Sequence, residues 1–239
     1  MVKPDVITTN PYGMESPYFR WLMQEYAPLF NKVINTYYND QRDHNFLDFW
    51  KEAMPDAVHV DIGMVKGRDW RDDTVNAGLD KSEAEWVLFI EQDVTVAKDF
   101  LKDLFEMAED YDVVGYGDMY PWSADVRLHP AFILVRREFI EMTNRDFGAY
   151  PEKNRDHFAV FTEDLFGIEG IRYLDIAKYE GAEFNHLKGT YSNYMLVQAG
   201  NEPNYDPPVF RDFVEMTLSL DIPWDPRFKE WSEKCLLKK

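Results

Sequence analysis

Two acidic residues flank a glutamine directly after the most apolar run of the chain. Glu91-Gln92-Asp93 follows residues 85–90, Glu-Trp-Val-Leu-Phe-Ile, a composition typical of a parallel strand that is buried on both faces. Open α/β sheets bind ligands beyond the carboxyl ends of their strands. Carboxylates at that point can hold a hard divalent cation, Mg²⁺ or Mn²⁺, and through it a diphosphate. The alternative for the triplet alone is a solvated loop, because the chain contains 44 acidic residues.

A second acidic group lies at Glu163 and Asp164, directly after Thr162. Thr162 can cap a helix over residues 163–169, and the helix dipole favours acids in its first turn. That structural explanation is sufficient by itself. The functional alternative is a carboxylate that takes a proton from an acceptor hydroxyl as a general base.

His186 lies in a polar stretch, residues 185–190, Asn-His-Leu-Lys-Gly-Thr. A single histidine is more often structural, but a neutral imidazole is also a good ligand for Mn²⁺ and related ions. Lys188 and Tyr191 can contact phosphate oxygens. Earlier in the chain, Arg71 and Asn76 are five residues apart and do not share one helical stripe, so by themselves they indicate a surface helix.

Other familiar chemistries have no motif in this sequence. There is no G-x-G-x-x-G, Walker A or G-x-S-x-G motif and no zinc-type spacing of cysteine and histidine. Cys235 is the only cysteine, which excludes an intrachain disulfide and makes thiol catalysis a poor candidate. A reducing, cytoplasmic location fits this cysteine usage, and no apolar run is long enough to span a bilayer.

Short apolar runs alternate with helical patterns, which favours a mostly parallel sheet with crossover helices. Strands are predicted over residues 6–9, 32–37, 57–60, 85–90, 112–116, 132–135 and 172–175. Helices are predicted from Ser16-Pro17, from Asp43, and over 68–81, 97–109, 163–169 and 228–236. We expect one domain over residues 1–239, with a less regular pattern after about residue 145.

The net charge of −18 and the pI of about 4.6 differ from the basic footprint of most nucleic-acid-binding proteins. A strong negative charge often does no more than keep a protein soluble. A nucleic-acid acceptor stays open, but the charge gives it no support.

Residues 68–100 resemble the core of the family 2-like GT-A glycosyltransferases. The matching features, in order, are Asn76-Ala77-Gly78, the apolar strand, Glu91-Gln92-Asp93 in place of a D-x-D motif, and Asp99-Phe100-Leu101. The resemblance implies an α/β fold of the GT-A type, a Rossmann-like and mostly parallel sheet flanked by helices. It also implies a nucleotide-binding part over about 1–110 and a less regular acceptor and catalytic part over about 111–239.

In such a transferase, a divalent metal and a carboxylate base move a sugar from a nucleotide-diphosphate sugar, a UDP-sugar first of all, to an acceptor hydroxyl with inversion. The implied donor-binding residues are Thr9, Asp40, Arg71, Asn76, Glu91 and Lys188. The implied metal ligands for Mn²⁺ or Mg²⁺ are Asp93, Glu91 and His186. The implied catalytic residues are Asp164, as the base, and Glu163.

The sequence departs from the family pattern at two points. Glu91 replaces the first acid of the D-x-D motif, so Asp93 is the safer metal ligand. The sequence after Asp164 fits loosely, which leaves Asp156 with His157 as the alternative base.

Two other classes of function stay open. The same acids would serve a carboxylate–metal nucleotidyltransferase or phosphohydrolase. A non-catalytic sugar-binding module of the same fold would use Trp70, Trp122 and Trp224 to stack on sugar rings. The sequence leaves the acceptor class undetermined among glycan, protein, small molecule and nucleic acid.

Overall fold

A computed structural model describes residues 1–11, 17–39, 51, 54–64, 70–91, 94–119, 126–148, 150, 158–179 and 184–186. These residues build a seven-stranded sheet in the order β3-β2-β1-β4-β7-β6-β8. Its strands are β1 (Asp5–Pro11), β2 (Lys32–Asn39), β3 (Val58–Met64), β4 (Trp86–Ile90), β6 (Val113–Met119), β7 (Val126–Arg136) and β8 (Tyr173–Asp175). Only β7 runs antiparallel to its neighbours. The predicted α/β class with a mostly parallel sheet is confirmed.

Two further strands form a separate antiparallel ribbon, β5 (Val94–Val96) with β9 (Phe184–His186). The helices are α1 (Pro17–Tyr26), α2 (Trp70–Leu79), α3 (Lys98–Met107), α4 (Arg137–Met142) and α5 (Ala159–Phe166). Among the described residues, no helix combines the length and the apolar composition needed to cross a bilayer.

The central strand β4 separates two hydrophobic clusters, because alternate side chains of a strand point to opposite faces of its sheet. Trp86, Leu88 and Ile90 belong to the first cluster, together with buried residues of α1, α3 and the β5–β9 ribbon. Val87 and Phe89 belong to the second, together with buried residues of α2, α4 and α5. The ribbon and α5 therefore pack on opposite faces of the sheet.

Helix α2 approaches the sheet closely at Gly78. A Cβ atom at this position would lie 2.7 Å from Cγ2 of Ile7 and 3.1 Å from Cγ2 of Thr36. The absence of a side chain therefore lets α2 lie directly on β1 and β2, which explains why glycine occurs inside a helix that its presence weakens.

The buried carboxylate of Asp5 anchors the amino end of β1. Its Oδ1 accepts a hydrogen bond from Nδ2 of Asn31 at 2.7 Å, and its Oδ2 accepts one from Oγ of Ser82 at 2.7 Å. The backbone N–H groups of Glu83 and Ala84 also donate to Oδ2. These bonds tie the turn before β4 to the start of β1. They therefore hold the amino end of β4, which is the end opposite Glu91.

The predicted start of α5 is wrong. The helix begins at Ala159, its N-cap is Phe158 with φ of 63°, and its first turn has no acidic residue. Thr162, the expected cap, is buried within the helix. Phe158 and Phe161 pack against Phe147, with ring centroids 5.0 and 4.7 Å apart. This aromatic packing, and not a cap at Thr162, accounts for a helix that begins at Ala159.

The other predicted elements agree in kind, and their ends differ. The eleven-residue strand β7 begins six residues before the predicted run at Phe132. The predicted helices from Asp43 and over 228–236 lie outside the described residues.

Candidate active site

The carboxyl end of the sheet is the end where β1 to β4 terminate, and it is where the predicted site lies. The chain builds outward from β1 to β3 and then crosses back to β4 on the other side of β1. Such a reversal of strand order opens a crevice at the carboxyl ends of the central strands. Glu91 directly follows β4, and its N–H donates to the carbonyl oxygen of Ala131 on β7 at 3.0 Å. The backbone of Glu91 is therefore held at this crevice.

The structure brings two of the predicted donor-binding residues together. Nη2 of Arg71, on α2, lies 2.5 Å from Oε1 of Glu91, and the two side chains are 16% and 18% exposed. The ion pair is thus largely shielded from solvent. Since guanidinium remains charged throughout the physiological pH range, it provides a fixed positive group beside the crevice.

Asn76 is engaged within the scaffold. Its Nδ2 donates to Oδ1 of Asp72 and to the carbonyl oxygen of Arg145, both at 3.1 Å. Oδ1 of Asp72 also accepts a hydrogen bond from the N–H of Phe147 at 2.8 Å. Asn76 therefore joins α2 to the segment after α4, and its contact with a donor stays a prediction.

The strand pairing of the β5–β9 ribbon bears on the positions of Asp93 and His186, the two other predicted metal ligands. Val94 pairs with His186 across the ribbon. Asp93 lies outside the described residues, but one peptide bond joins it to Val94. The pairing brings the backbone of His186 beside Val94, the residue that follows Asp93 in the sequence. No cluster of three or more potential metal-binding side chains occurs in the described ranges, which include neither of these two side chains.

Aromatic packing fixes the ribbon on the sheet. The ring of Phe184, on β9, lies 5.2 Å from that of Tyr116 and 5.8 Å from that of Phe132, centroid to centroid. The hydroxyl of Tyr26 donates to the carbonyl oxygen of Val96 at 2.8 Å. Burial, and then the charge of the nearby acids, raises the pKa of this hydroxyl, so it stays a neutral donor to the ribbon.

The predicted catalytic acids lie on a helix that packs on the sheet, away from the ribbon. Glu163 and Asp164 are exposed on α5, the helix on the face opposite the ribbon. Thr9 lies half-buried near the end of β1, in register with Thr36 of β2. The roles of these three residues in donor binding and catalysis stay predictions. Predicted site residues outside the described part of the chain are Asp40, Gln92, Asp93, Asp156, His157, Lys188 and Tyr191.

The sequence analysis assigned no role to two polar side chains at the carboxyl end of the sheet. His129, on β7, accepts a hydrogen bond at Nδ1 from the N–H of Ala131 at 3.1 Å. Asp175, the last residue of β8, accepts at Oδ1 from the N–H groups of Gly117 at 3.0 Å and Ala177 at 2.8 Å. The glycine at position 117 is the sequence feature related to this contact. A Cβ atom there would lie 2.7 Å from Oδ2 of Asp175.

No family model matches the chain, and no curated protein sequence matches it. Solved structures do match. S. aureus TarS 1-349 in complex with UDP-GlcNAc is 17% identical with a TM-score of 0.53, and the match covers 98% of this chain and 70% of that one. The mannosyltransferase PcManGT from Pyrobaculum calidifontis, in complex with GDP-Man and Mn²⁺, is 14% identical with a TM-score of 0.50, and the match covers 98% and 73%.

The fold is that of the GT-A glycosyltransferases. The predicted fold is therefore confirmed across the described elements. Within this GT-A sheet, β1 to β3 lie on one side of β4, and β7, β6 and β8 lie on the other. Arg71 and Glu91 mark the boundary between the two halves, at the carboxyl end.

Proposed function

We propose that the protein transfers a sugar from a nucleotide-diphosphate sugar to an acceptor hydroxyl. The observation that carries the proposal is the ribbon pairing of Val94 with His186, which sets a histidine opposite the residue next to Asp93 and shortly after β4. The likeness to TarS with UDP-GlcNAc and to PcManGT with GDP-Man and Mn²⁺ supports a GT-A donor site of this kind.

Asp93 and His186 are the residues that would hold a divalent cation. A carboxylate with one imidazole suits Mn²⁺ better than Mg²⁺, which takes oxygen ligands almost exclusively. When bound, the cation counters the negative charge that develops on the leaving diphosphate. Glu91 carries a second negative charge at this end of the sheet, and its ion pair with Arg71 supports a role in positioning that guanidinium beside its predicted contact with the metal.

Arg71 supplies the protein's own positive charge for the donor. Glu91 holds the guanidinium in one place, and a positioned guanidinium can meet phosphate oxygens with several N–H groups at once. The nucleoside would lie over β1 to β3, where Thr9 lies near the end of β1 and Asp40 comes directly after β2 in the sequence. Lys188, two residues after β9, would add a further positive charge for the diphosphate.

Transfer would proceed by single displacement with inversion. The acceptor oxygen forms a bond to the anomeric carbon while the bond from that carbon to the diphosphate oxygen breaks. Asp164 takes the proton of the acceptor hydroxyl, and Glu163 stands beside it. Both carboxylates are exposed, which suits groups that meet an acceptor arriving from solvent.

Product analysis tests the proposal. The full chain is incubated with UDP-GlcNAc, UDP-glucose or GDP-mannose in the presence of Mn²⁺, and the nucleotide and sugar products are separated by mass. Release of UDP or GDP with free or transferred sugar supports a glycosyltransferase. Release of a nucleoside monophosphate and a sugar phosphate indicates a phosphohydrolase instead. Binding without metal dependence or turnover indicates a sugar-binding module.

A further inference from the structure

Three strained backbone positions lie on one connection of the chain, the one between α4 and α5. Among the described residues, the non-glycine residues with φ in the left-handed region are Asn144 at 56°, Arg145 at 55° and Phe158 at 63°. Residues with a Cβ atom rarely adopt this conformation, because it brings Cβ close to the following carbonyl oxygen. Such strain persists only where the surrounding structure holds it, and it is concentrated at functional sites. The conformation of this connection therefore depends on contacts made from outside it.

Helix α2 holds the first part of the connection. Nδ2 of Asn76 donates to Oδ1 of Asp72 and to the carbonyl oxygen of Arg145, both at 3.1 Å. The same Oδ1 atom of Asp72 accepts the N–H of Phe147 at 2.8 Å. An amide nitrogen carries two hydrogens, so both N–H groups of the Asn76 side chain are engaged within the protein. The connection is thus fastened to α2 at Arg145 and again at Phe147.

Phe147 carries this anchorage on to α5. Its carbonyl oxygen accepts the N–H of Phe158, the N-cap of α5, at 3.3 Å. Its ring lies 5.0 Å from that of Phe158 and 4.7 Å from that of Phe161, centroid to centroid. Phe89 of β4 contacts all three rings, at centroid distances from 5.5 to 6.4 Å. The start of α5 is therefore fixed through both the backbone and the ring of Phe147.

Helix α2 also connects this anchorage to the candidate donor site. Arg71, five residues before Asn76 on the same helix, forms the ion pair with Glu91. Helix α5 carries the exposed Glu163 and Asp164. A single helix therefore presents the guanidinium proposed for the diphosphate and, roughly one and a half turns later, the amide that holds the connection to α5.

We infer that Asn76 is a positioning residue for sugar transfer, which acts by holding the strained connection so that α5 keeps a fixed place relative to Arg71. The inference rests on the proposed function, in which Arg71 meets the donor diphosphate and Asp164 takes the proton of the acceptor. It differs from the role that the family resemblance implies, in which Asn76 binds the donor itself. Small displacements of a reacting group are costly, because transfer needs the acceptor oxygen and its base aligned at the anomeric carbon.

Asn76→Ala tests the inference when donor binding and turnover are measured separately. Isothermal titration in Mn²⁺ gives the Kd of UDP-GlcNAc and of GDP-mannose, and release of UDP or GDP without added acceptor gives kcat with water as the acceptor. Hydrogen exchange followed by mass spectrometry reports how firmly α5 is held. Asn31→Ala is the matched control, because Asn31 donates a side-chain hydrogen bond to Oδ1 of Asp5 at 2.7 Å, at the amino end of the sheet.

Asn76→Ala should lower kcat about 3- to 10-fold, the range expected for one net hydrogen bond, while the Kd of the preferred nucleotide-sugar stays unchanged. Amide exchange over α5 should become faster. Arg145→Gly added to Asn76→Ala should restore most of the rate, because glycine adopts the left-handed conformation without strain. Arg145→Ala added to the same variant should restore none of it, since it removes the same guanidinium but keeps a Cβ atom. Asn31→Ala should change neither kcat nor the exchange of α5.

Three results would overturn the inference. One is an unchanged kcat for Asn76→Ala, with or without a change in the exchange of α5. Another is a rise in the Kd of the nucleotide-sugar at least as large as the loss in kcat, which would assign Asn76 to donor binding. The third is equal behaviour of the two double variants, which would show that Asn76 does not act through the left-handed conformation at Arg145.

Failure of the proposed function would be seen separately, in the wild type. If the wild type neither binds nor cleaves either nucleotide-sugar, the proposed function fails and this inference fails with it. Faster exchange of α5 in Asn76→Ala would then assign Asn76 to the stability of that helix alone.

Discussion

The guanidinium of Arg71 lies 2.5 Å, Nη2 to Oε1, from the carboxylate of Glu91. The two residues are twenty positions apart in the sequence. Arg71 lies on α2, and Glu91 directly follows β4. Their ion pair ties α2, the helix that approaches β1 closely at Gly78, to the carboxyl end of β4. Both side chains are mostly shielded, so the ion pair stabilises each of the two charges.

A double-mutant cycle tests this dependence. Arg71→Met and Glu91→Gln should each lower the free energy of unfolding by about 1–3 kcal/mol, since each removes an ion-pair contact from a charge that is largely shielded from solvent. The double variant should lose clearly less than the sum, as measured by urea unfolding. Strictly additive losses would show that the ion pair contributes nothing to stability.

Gly78→Ala should destabilise the protein by about 1–3 kcal/mol, because overpacking in a closely packed contact forces neighbouring atoms apart. The added Cβ would lie 2.7 Å from Cγ2 of Ile7. The loss is expected although alanine is the better helix former by about 1 kcal/mol. Ala77→Gly in the same helix is the control, and should cost about that propensity difference in thermal or urea unfolding. A more stable Gly78→Ala variant would contradict the close packing of α2.

Much of this architecture is readable from the sequence because the strongest pattern lies on its central strand. All five residues of β4 are buried, as its apolar composition predicts. The start of α5 could not be predicted from Thr162, since the competing signal is aromatic packing between Phe158, Phe161 and Phe147. Such packing joins segments distant in sequence and depends on the folded backbone.

Acid should weaken the protein partly through Asp112, whose hydrogen bonds from Arg172 lower the pKa of its carboxyl group. A pKa lower in the folded state gives stability that is present above the unfolded value and lost as pH falls through the folded one. The urea midpoint of Asp112→Asn should therefore lie well below wild type at about pH 6, and the gap should shrink below about pH 4.

The exposed Asp103 of α3 provides the control for this pH profile. Asp103→Asn should follow the wild-type acid limb closely. A constant gap between Asp112→Asn and wild type over the whole pH range would contradict the assignment of this acid dependence to Asp112.

Asp164→Asn should abolish sugar transfer and leave donor binding intact, because the amide cannot accept the proton of the acceptor hydroxyl. Loss of a general base typically costs about 10²–10⁴-fold in rate. Glu163→Gln is the neighbouring comparison, and should retain more activity than Asp164→Asn. If Asp164→Asn forms product at the wild-type rate, Asp164 is not the general base. Asp156 and His157 would then be the first candidates for that role.

The site was less predictable than the fold. The resemblance to the GT-A glycosyltransferases put Asp93, Arg71 and His186 in one hypothesis, but it could not show that Arg71 contacts Glu91 or that Val94 pairs with His186. Both facts depend on tertiary arrangement.

The most direct test of the account is the Mn²⁺ dependence of nucleotide-sugar binding by the wild type and by Asp93→Ala. UDP-GlcNAc and GDP-mannose are titrated with and without Mn²⁺ while thermal unfolding is recorded, with Asp103→Asn as a charge-matched control. A ligand at about 100 times its Kd stabilises the folded state by about 2.7 kcal/mol. We expect such stabilisation for the wild type and Asp103→Asn with one of the two donors, only with Mn²⁺, and its loss in Asp93→Ala. Equal, metal-independent stabilisation of all three proteins, or none in any of them with either donor, would contradict a metal-dependent donor site at Asp93.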